Sequence, residues 1–211
     1  MGAEPFARQM RHLQRGFCVI SLDEAIELLE ARRPFPDRAV AVTFDDGYRN
    51  VLTSVLPILE RDRIPAAVFV PPGQVAQRGC YWFDALRVVV AECARLGSDA
   101  HLDDDLSING RRIRDPEQAF LMLAHRIGGL PSARAETVTV RLVAMSQEAR
   151  MLERHPEFAL ATWDEWRHAV AGGLITVGAH GMEHRDLTVL SQEACVNELR
   201  EARFRIEQEL F

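Results

Sequence analysis

The chain has 211 residues, 47% hydrophobic and 27% charged, with a formal net charge of −6. These are the proportions of a globular protein with one large domain, or one domain carrying an insertion, and the acidic balance argues against a nucleic-acid partner. No apolar run is long enough to span a bilayer, and Met1 to Met10 lacks the apolar centre of a signal peptide, so no membrane span and a cytoplasmic location are expected.

Ser21-Leu-Asp-Glu24 is a capping-box pattern that predicts a helix through Ala31. Pro34 and Pro36 break the chain before Ala39 to Phe44, an almost wholly apolar run that reads as a strand buried on both faces. Val51 to Leu59 predicts a helix and Ala66 to Val70 a second buried strand. Strand, helix and strand at this spacing make a βαβ unit with parallel strands. Trp82 to Leu96 predicts a helix, and Leu106 to Ile113 a hairpin turning at Asn109-Gly110.

Residues 97–160 show no second βαβ pattern and read as a helical insertion, broken at Gly128-Gly129-Leu130-Pro131 and His155-Pro156. Thr162-Trp-Asp-Glu165 is another capping box, opening a helix that stops at Gly172-Gly173. Leu174 to Val177 predicts a strand, residues 178–184 a loop, and Ser191 the cap of an amphipathic helix towards Phe211. Cys18, Cys80, Cys93 and Cys195 lack zinc-ribbon spacing and read as reduced, mostly buried thiols.

Two strand ends carry chemistry. Val40 to Phe44 delivers Asp45 and Asp46, and Leu174 to Val177 delivers His180 and His184. Parallel α/β architectures gather strand C-terminal ends on one face, so the four side chains are expected to converge. Two imidazoles and a carboxylate suit a divalent first-row metal with open positions. Successive side chains on an extended chain diverge, which leaves one carboxylate free to take a proton from metal-activated water. His180-Gly-Met-Glu-His184 also matches the H-x-x-E-H pattern of inverted zinc proteases, but that pattern needs a continuous helix, which Gly178 and Gly181 disfavour. Non-haem iron oxygenases place a carboxylate two residues after the first His, where this chain has Met182.

Thr43-Phe-Asp-Asp-Gly47 resembles the first motif of the polysaccharide deacetylases (carbohydrate esterase family 4, the NodB homology domain), and His180-Gly-Met-Glu-His184 with Leu187 resembles the second. The stretches Gly16 to Glu24, Ile64 to Val70 and Thr162 to Glu165 are similar to those flanking the family's motifs, and Tyr81 to Asp84 is similar to a segment of members linked to bacterial exopolysaccharide synthesis. The resemblance covers residues 6–96 and 160–211 and implies an α/β fold, an irregular (β/α) barrel with its site at the strand C-terminal face.

It implies Asp45 as general base, with Asp46, His180 and His184 as ligands of a divalent metal, usually Zn2+, with Co2+, Ni2+ or Mn2+ as substitutes. The implied reaction removes N-acetyl groups from amino sugars of a polysaccharide or its precursor. The open alternatives are a hydrolase of another non-peptide amide on the same site and a non-catalytic metal-binding remnant. Gly181 stands where the family prefers Ser or Thr, and the family's first strand and later motifs, which supply an Arg, an aromatic wall and a catalytic His, have no counterpart in the sequence. The barrel is therefore expected to be incomplete within a single domain over residues 1–211, with exposed strand edges suited to homo-oligomer formation. His101, His125, His155 and His168 read as surface or structural residues.

Overall fold

The structure is a computed structural model that describes residues 2–77, 80–148 and 150–211. In chain order its strands are β1 (Cys18–Val19), β2 (Ala39–Val40), β3 (Val42–Phe44), β4 (Ala66–Val70), β5 (Asp99–His101), β6 (Ser107–Asn109) and β7 (Ile175–Ala179). Helices α1 (Ala3–Gly16), α2 (Leu22–Glu30), α3 (Leu56–Asp62), α4 (Pro72–Gln77) and α5 (Trp82–Leu96) precede residue 97. Then follow α6 (Pro116–Gly128), α7 (Ser132–Glu148), α8 (Met151–Arg154), α9 (Trp163–Ala171) and α10 (Gln192–Leu210). A π-helical turn at Val51–Val55 leads into α3. Two compact units result, Met1–Arg78 with Leu160–Phe211 and, separately, Gly79–Ala159.

The first unit has a mixed α/β fold with an irregular, open sheet, consistent with an incomplete barrel of the NodB type. Strands β3, β4 and β7 lie side by side in that order, all parallel, in register from Val42↔Ala66 to Val70↔Ala179. Strand β4 occupies the centre, and its Val68 and Val70 are fully buried. The run Ala39 to Phe44 differs from its expectation. It is divided between β2, which pairs with β1, and β3, which pairs with β4, and neither is buried on both faces. Each has a strand neighbour on one side only among the described residues, and their side chains are half-buried except for the exposed Thr43. Leu59, Ile64, Trp166, Ile175 and Ile206 close the core around β4.

Helix starts follow side-chain chemistry here. Ser21 Oγ accepts the Glu24 amide at 3.0 Å, and Ser191 Oγ accepts the Ala194 amide at 3.2 Å. Thr162 and Glu165 form both halves of a capping box on α9. Each such cap satisfies a backbone donor that the first helical turn leaves unpaired.

The second unit packs α5 against α6 and α7 around Leu86, Val90, Leu102, Leu106, Ile127 and Leu142. It begins ahead of residue 97, because α5 shares this core. Strands β5 and β6 form the hairpin, yet its turn lies at residues 102–106 rather than at Asn109-Gly110. Asp103 Oδ1 accepts the amides of Asp105 at 2.8 Å and Leu106 at 2.7 Å, and this local bonding sets the reversal. Gly110 serves close packing instead: a Cβ there would lie 2.0 Å from the Cys93 carbonyl oxygen. Cys80 and Cys93 are buried thiols outside any disulfide, and burial pushes both above their ordinary pKa. Cys18, by contrast, is exposed. No helix among the described residues is long and apolar enough to cross a membrane.

Candidate metal centre

Asp46 lies two residues beyond the end of β3, directly after the exposed Asp45, with φ of 71°, and Gly47 follows with φ of 71°. Asp tolerates this left-handed conformation because its short side chain bonds locally, whereas most residues resist it. Gly47 is required for a second reason, since a Cβ there would stand 2.8 Å from Val70 Cγ1. The loop is then fixed across the unit. The Ala161 amide donates to the Gly47 carbonyl at 3.1 Å, Tyr48 bridges to Leu160, and Arg49 donates to Glu165 at 2.6 Å. Burial pushes the Glu165 carboxyl up, but bonds from Thr162 and Arg49 outweigh it and leave its pKa lowered.

Strand β7 supplies the other half. The His180 amide donates to the Val70 carbonyl at 2.9 Å, extending the β4–β7 pairing by one more bond. The chain then leaves the ladder through Gly181 and reaches His184, which has φ of 56°. Residues 180–186 form no helix, so the two imidazoles are not presented from one helix face as the inverted protease pattern requires.

Asp46, His180 and His184 meet, with one ligand atom of each within 4.8 Å of the others. Asp46 Oδ1 is 3.1 Å from His184 Nε2 and 3.3 Å from His180 Nε2. The imidazole rings stand 5.0 Å apart in an edge-on arrangement. Zinc ligands at about 2.0–2.1 Å in tetrahedral geometry lie about 3.3 Å from one another, so the triangle has the dimensions of a ligand set. Donor chemistry agrees, since two nitrogens and a carboxylate oxygen suit a divalent first-row ion. The cluster is capable of holding such an ion. The hydrogen bond with His184 lowers the Asp46 carboxyl pKa, partial burial opposes it, and the charges of both imidazoles add to the lowering.

Of the residues singled out in the sequence, Asp46, His180 and His184 come together, whereas Asp45 is exposed and outside the triangle. His101, His125 and His168 are exposed, His155 is half-exposed, and none joins the cluster. Sequence reasoning missed Glu198, whose carboxyl accepts the amides of Met182 and Glu183. Its signal was available: Glu198, Ala202 and Ile206 recur every four residues on the buried stripe of α10. It also missed the bond from Arg49 to Glu165, which no spacing rule links across 116 positions.

Residues 32–106 match the polysaccharide deacetylase family. Over 60 residues the chain is 38% identical to the poly-beta-1,6-N-acetyl-D-glucosamine N-deacetylase of Escherichia coli K12, covering 28% of this chain and 9% of that protein. Among solved structures, deacetylase PplD of Streptococcus pyogenes in complex with acetate aligns with a TM-score of 0.54 at 14% identity, over 99% of this chain and 57% of that one. IcaB from Ammonifex degensii aligns with a TM-score of 0.54 at 19% identity, over 100% and 62%. A de-N-acetylase from Aggregatibacter actinomycetemcomitans aligns with a TM-score of 0.51 at 14% identity, over 99% and 64%. The chain thus spans less than two thirds of each of these proteins, and at these identities the structural likeness speaks for the fold. Over residues 32–106 the chain is thus similar to polysaccharide deacetylases, and its fold resembles that of solved deacetylases.

Proposed function

We propose that the chain is a metal-dependent hydrolase that removes N-acetyl groups from amino sugars of a polysaccharide or its precursor. The observation that carries this reading is the ligand-sized triangle of Asp46, His180 and His184 at the ends of two parallel strands. In this reading those residues hold a divalent ion, Zn2+ first and Co2+, Ni2+ or Mn2+ as substitutes. Such an ion acidifies a water ligand and polarises an acyl oxygen. Asp45 stays outside the ligand set and accepts the proton of the attacking water. Attack on the amide carbonyl and loss of the amine then give acetate and a free amino sugar. An N-acetylated glucosamine polymer is the substrate class supported by the Escherichia coli relative, which is named for acting on one.

The test measures acetate release from N-acetylglucosamine oligosaccharides by the Zn2+- or Co2+-loaded chain. Wild type is expected to turn over, and Asp45→Asn to keep the metal while losing about 100-fold or more of its rate. Bound metal without release of acetate from any such substrate would assign the site a non-catalytic role. Metal loss in Asp45→Asn equal to that in Asp46→Ala would sink the division of labour between the two carboxylates.

A further inference from the structure

The loop that joins His180 to His184 has its own support. One carboxylate oxygen, Glu198 Oε1, accepts the Met182 amide at 2.9 Å and the Glu183 amide at 2.6 Å. Successive backbone N–H groups turned to one side form a concave anion-binding nest, and Glu198 fills it. Glu198 is only 8% exposed, and a buried carboxyl at the apolar stripe of a helix is costly unless such bonds offset its desolvation. On the opposite side the Gly73 amide donates to the Met182 carbonyl at 2.9 Å. Residue 182 is thereby tied at its N–H by α10 and at its C=O by the start of α4.

Position 181 completes the arrangement. Its φ of 72° turns the chain, and a Cβ there would stand 3.4 Å from Glu198 Oε1, so the carboxyl sits directly under the turn. His180 is held from one side by its amide bond to Val70, and the middle of the loop is held by Glu198. His184, with φ of 56°, follows directly on the braced Met182–Glu183 pair, and Gln74 Nε2 adds a bond to the Glu183 carbonyl at 3.3 Å.

We propose that Glu198 is a positioning residue for the metal centre: by filling the nest of residues 182–183 it sets the separation of the His180 and His184 imidazoles. The proposal rests on the metal-site reading for its consequence, though the brace itself is a property of the metal-free chain. Its prediction concerns ligand geometry, since outer-shell bonds orient metal-bound imidazoles and their loss weakens binding by about 10- to 100-fold.

The experiment compares wild type, Glu198→Gln and Glu198→Leu by Co2+ titration, the absorption spectrum of bound Co2+, and amide hydrogen exchange of the metal-free full chain. Gln retains an oxygen that accepts both amides, and its Co2+ affinity should stay within about threefold of wild type. Leu fills similar space without an acceptor and should bind Co2+ about 10- to 100-fold more weakly with an altered spectrum. The amides of Met182 and Glu183 should be protected in wild type and Gln and exchange freely in Leu. A folded Leu variant with wild-type affinity and spectrum would overturn the proposal, as would equal impairment of Gln and Leu. Should Leu fail to fold, the wild-type amides decide: unprotected Met182 and Glu183 refute the brace, and protected ones with a conserved Gln spectrum support it. A wild type that binds no Co2+ removes the functional reading alone, because metal-free amide protection still reports on the brace.

Discussion

The two units of the chain close themselves over different distances along the sequence. In the first, the joins that matter are remote: Asp46 meets His184 across 138 positions, and Thr176 donates to Asp23 across 153. In the second, Asp103 meets Arg134 across 31 positions and closes its own hairpin turn by bonds two and three residues on. Remote joins at strand ends bring together side chains that local structure never makes neighbours. That is why the chemistry-bearing cluster lies in the first unit. The second unit has an ordinary buried core and, among the described residues, no comparable group of metal-ligating side chains.

The largest expected effect tests that separation directly. His184→Ala and Asp46→Ala should weaken Co2+ or Zn2+ binding by more than about 100-fold, beyond the loss of an outer-shell partner. Calorimetric titration measures it, and binding within tenfold of wild type would break the assignment of the cluster. The next effect concerns stability. Trp166 is fully buried in the first core and Leu142 in the second. Truncation should cost about 3–5 kcal/mol for Trp166→Ala and about 2–5 kcal/mol for Leu142→Ala. Followed by urea titration with amide-resolved exchange, each loss should appear first in its own unit. Equal loosening of both units in both variants would show that the comparison does not hold.

The smallest effect is a pH dependence confined to the second unit. Arg134, at 2.6 Å, is the chief cause that lowers the Asp103 carboxyl from near 3.8 to about 2, with help from the Asp105 and Leu106 amides. A carboxyl depressed in the folded state stabilises it above the unfolded value, and that contribution fades as pH falls through the folded one. Wild type should therefore melt higher than Asp103→Asn above pH of about 4, and the gap should close towards pH of about 2. A gap that persists unchanged at the acid end would assign the difference to the turn geometry rather than to the charge.

Much of this was legible in the sequence, and what was not has physical reasons. The ends of β3 and β7 were readable because an apolar run stops at polar residues, and donor chemistry joined two histidines to one of the two aspartates, while the choice of Asp46 came from the family resemblance. Helix α1 went unread although Phe6, Met10 and Leu13 recur at helical spacing, since Gly2 offers no side-chain cap to mark its start. The Asn109-Gly110 pair carried a strong local turn signal. The aspartates at 103–105 outcompeted it, because a turn bonded by its own side chain leaves Gly110 free to pack under the end of α5. The π-helical turn at Val51–Val55 has no sequence mark that distinguishes it from the α-helix it precedes.

The left-handed backbone of Asp46 also constrains which substitutions can probe the proposed metal site cleanly. Most substitutions there remove a donor and oppose the backbone together, so they would damage the fold as well as the site. Asparagine alone combines a near-identical shape with tolerance of that conformation. A control for the proposed metal site is therefore best built as Asp46→Asn: a chain expected to keep its turn and its packing while losing the carboxylate's negative charge.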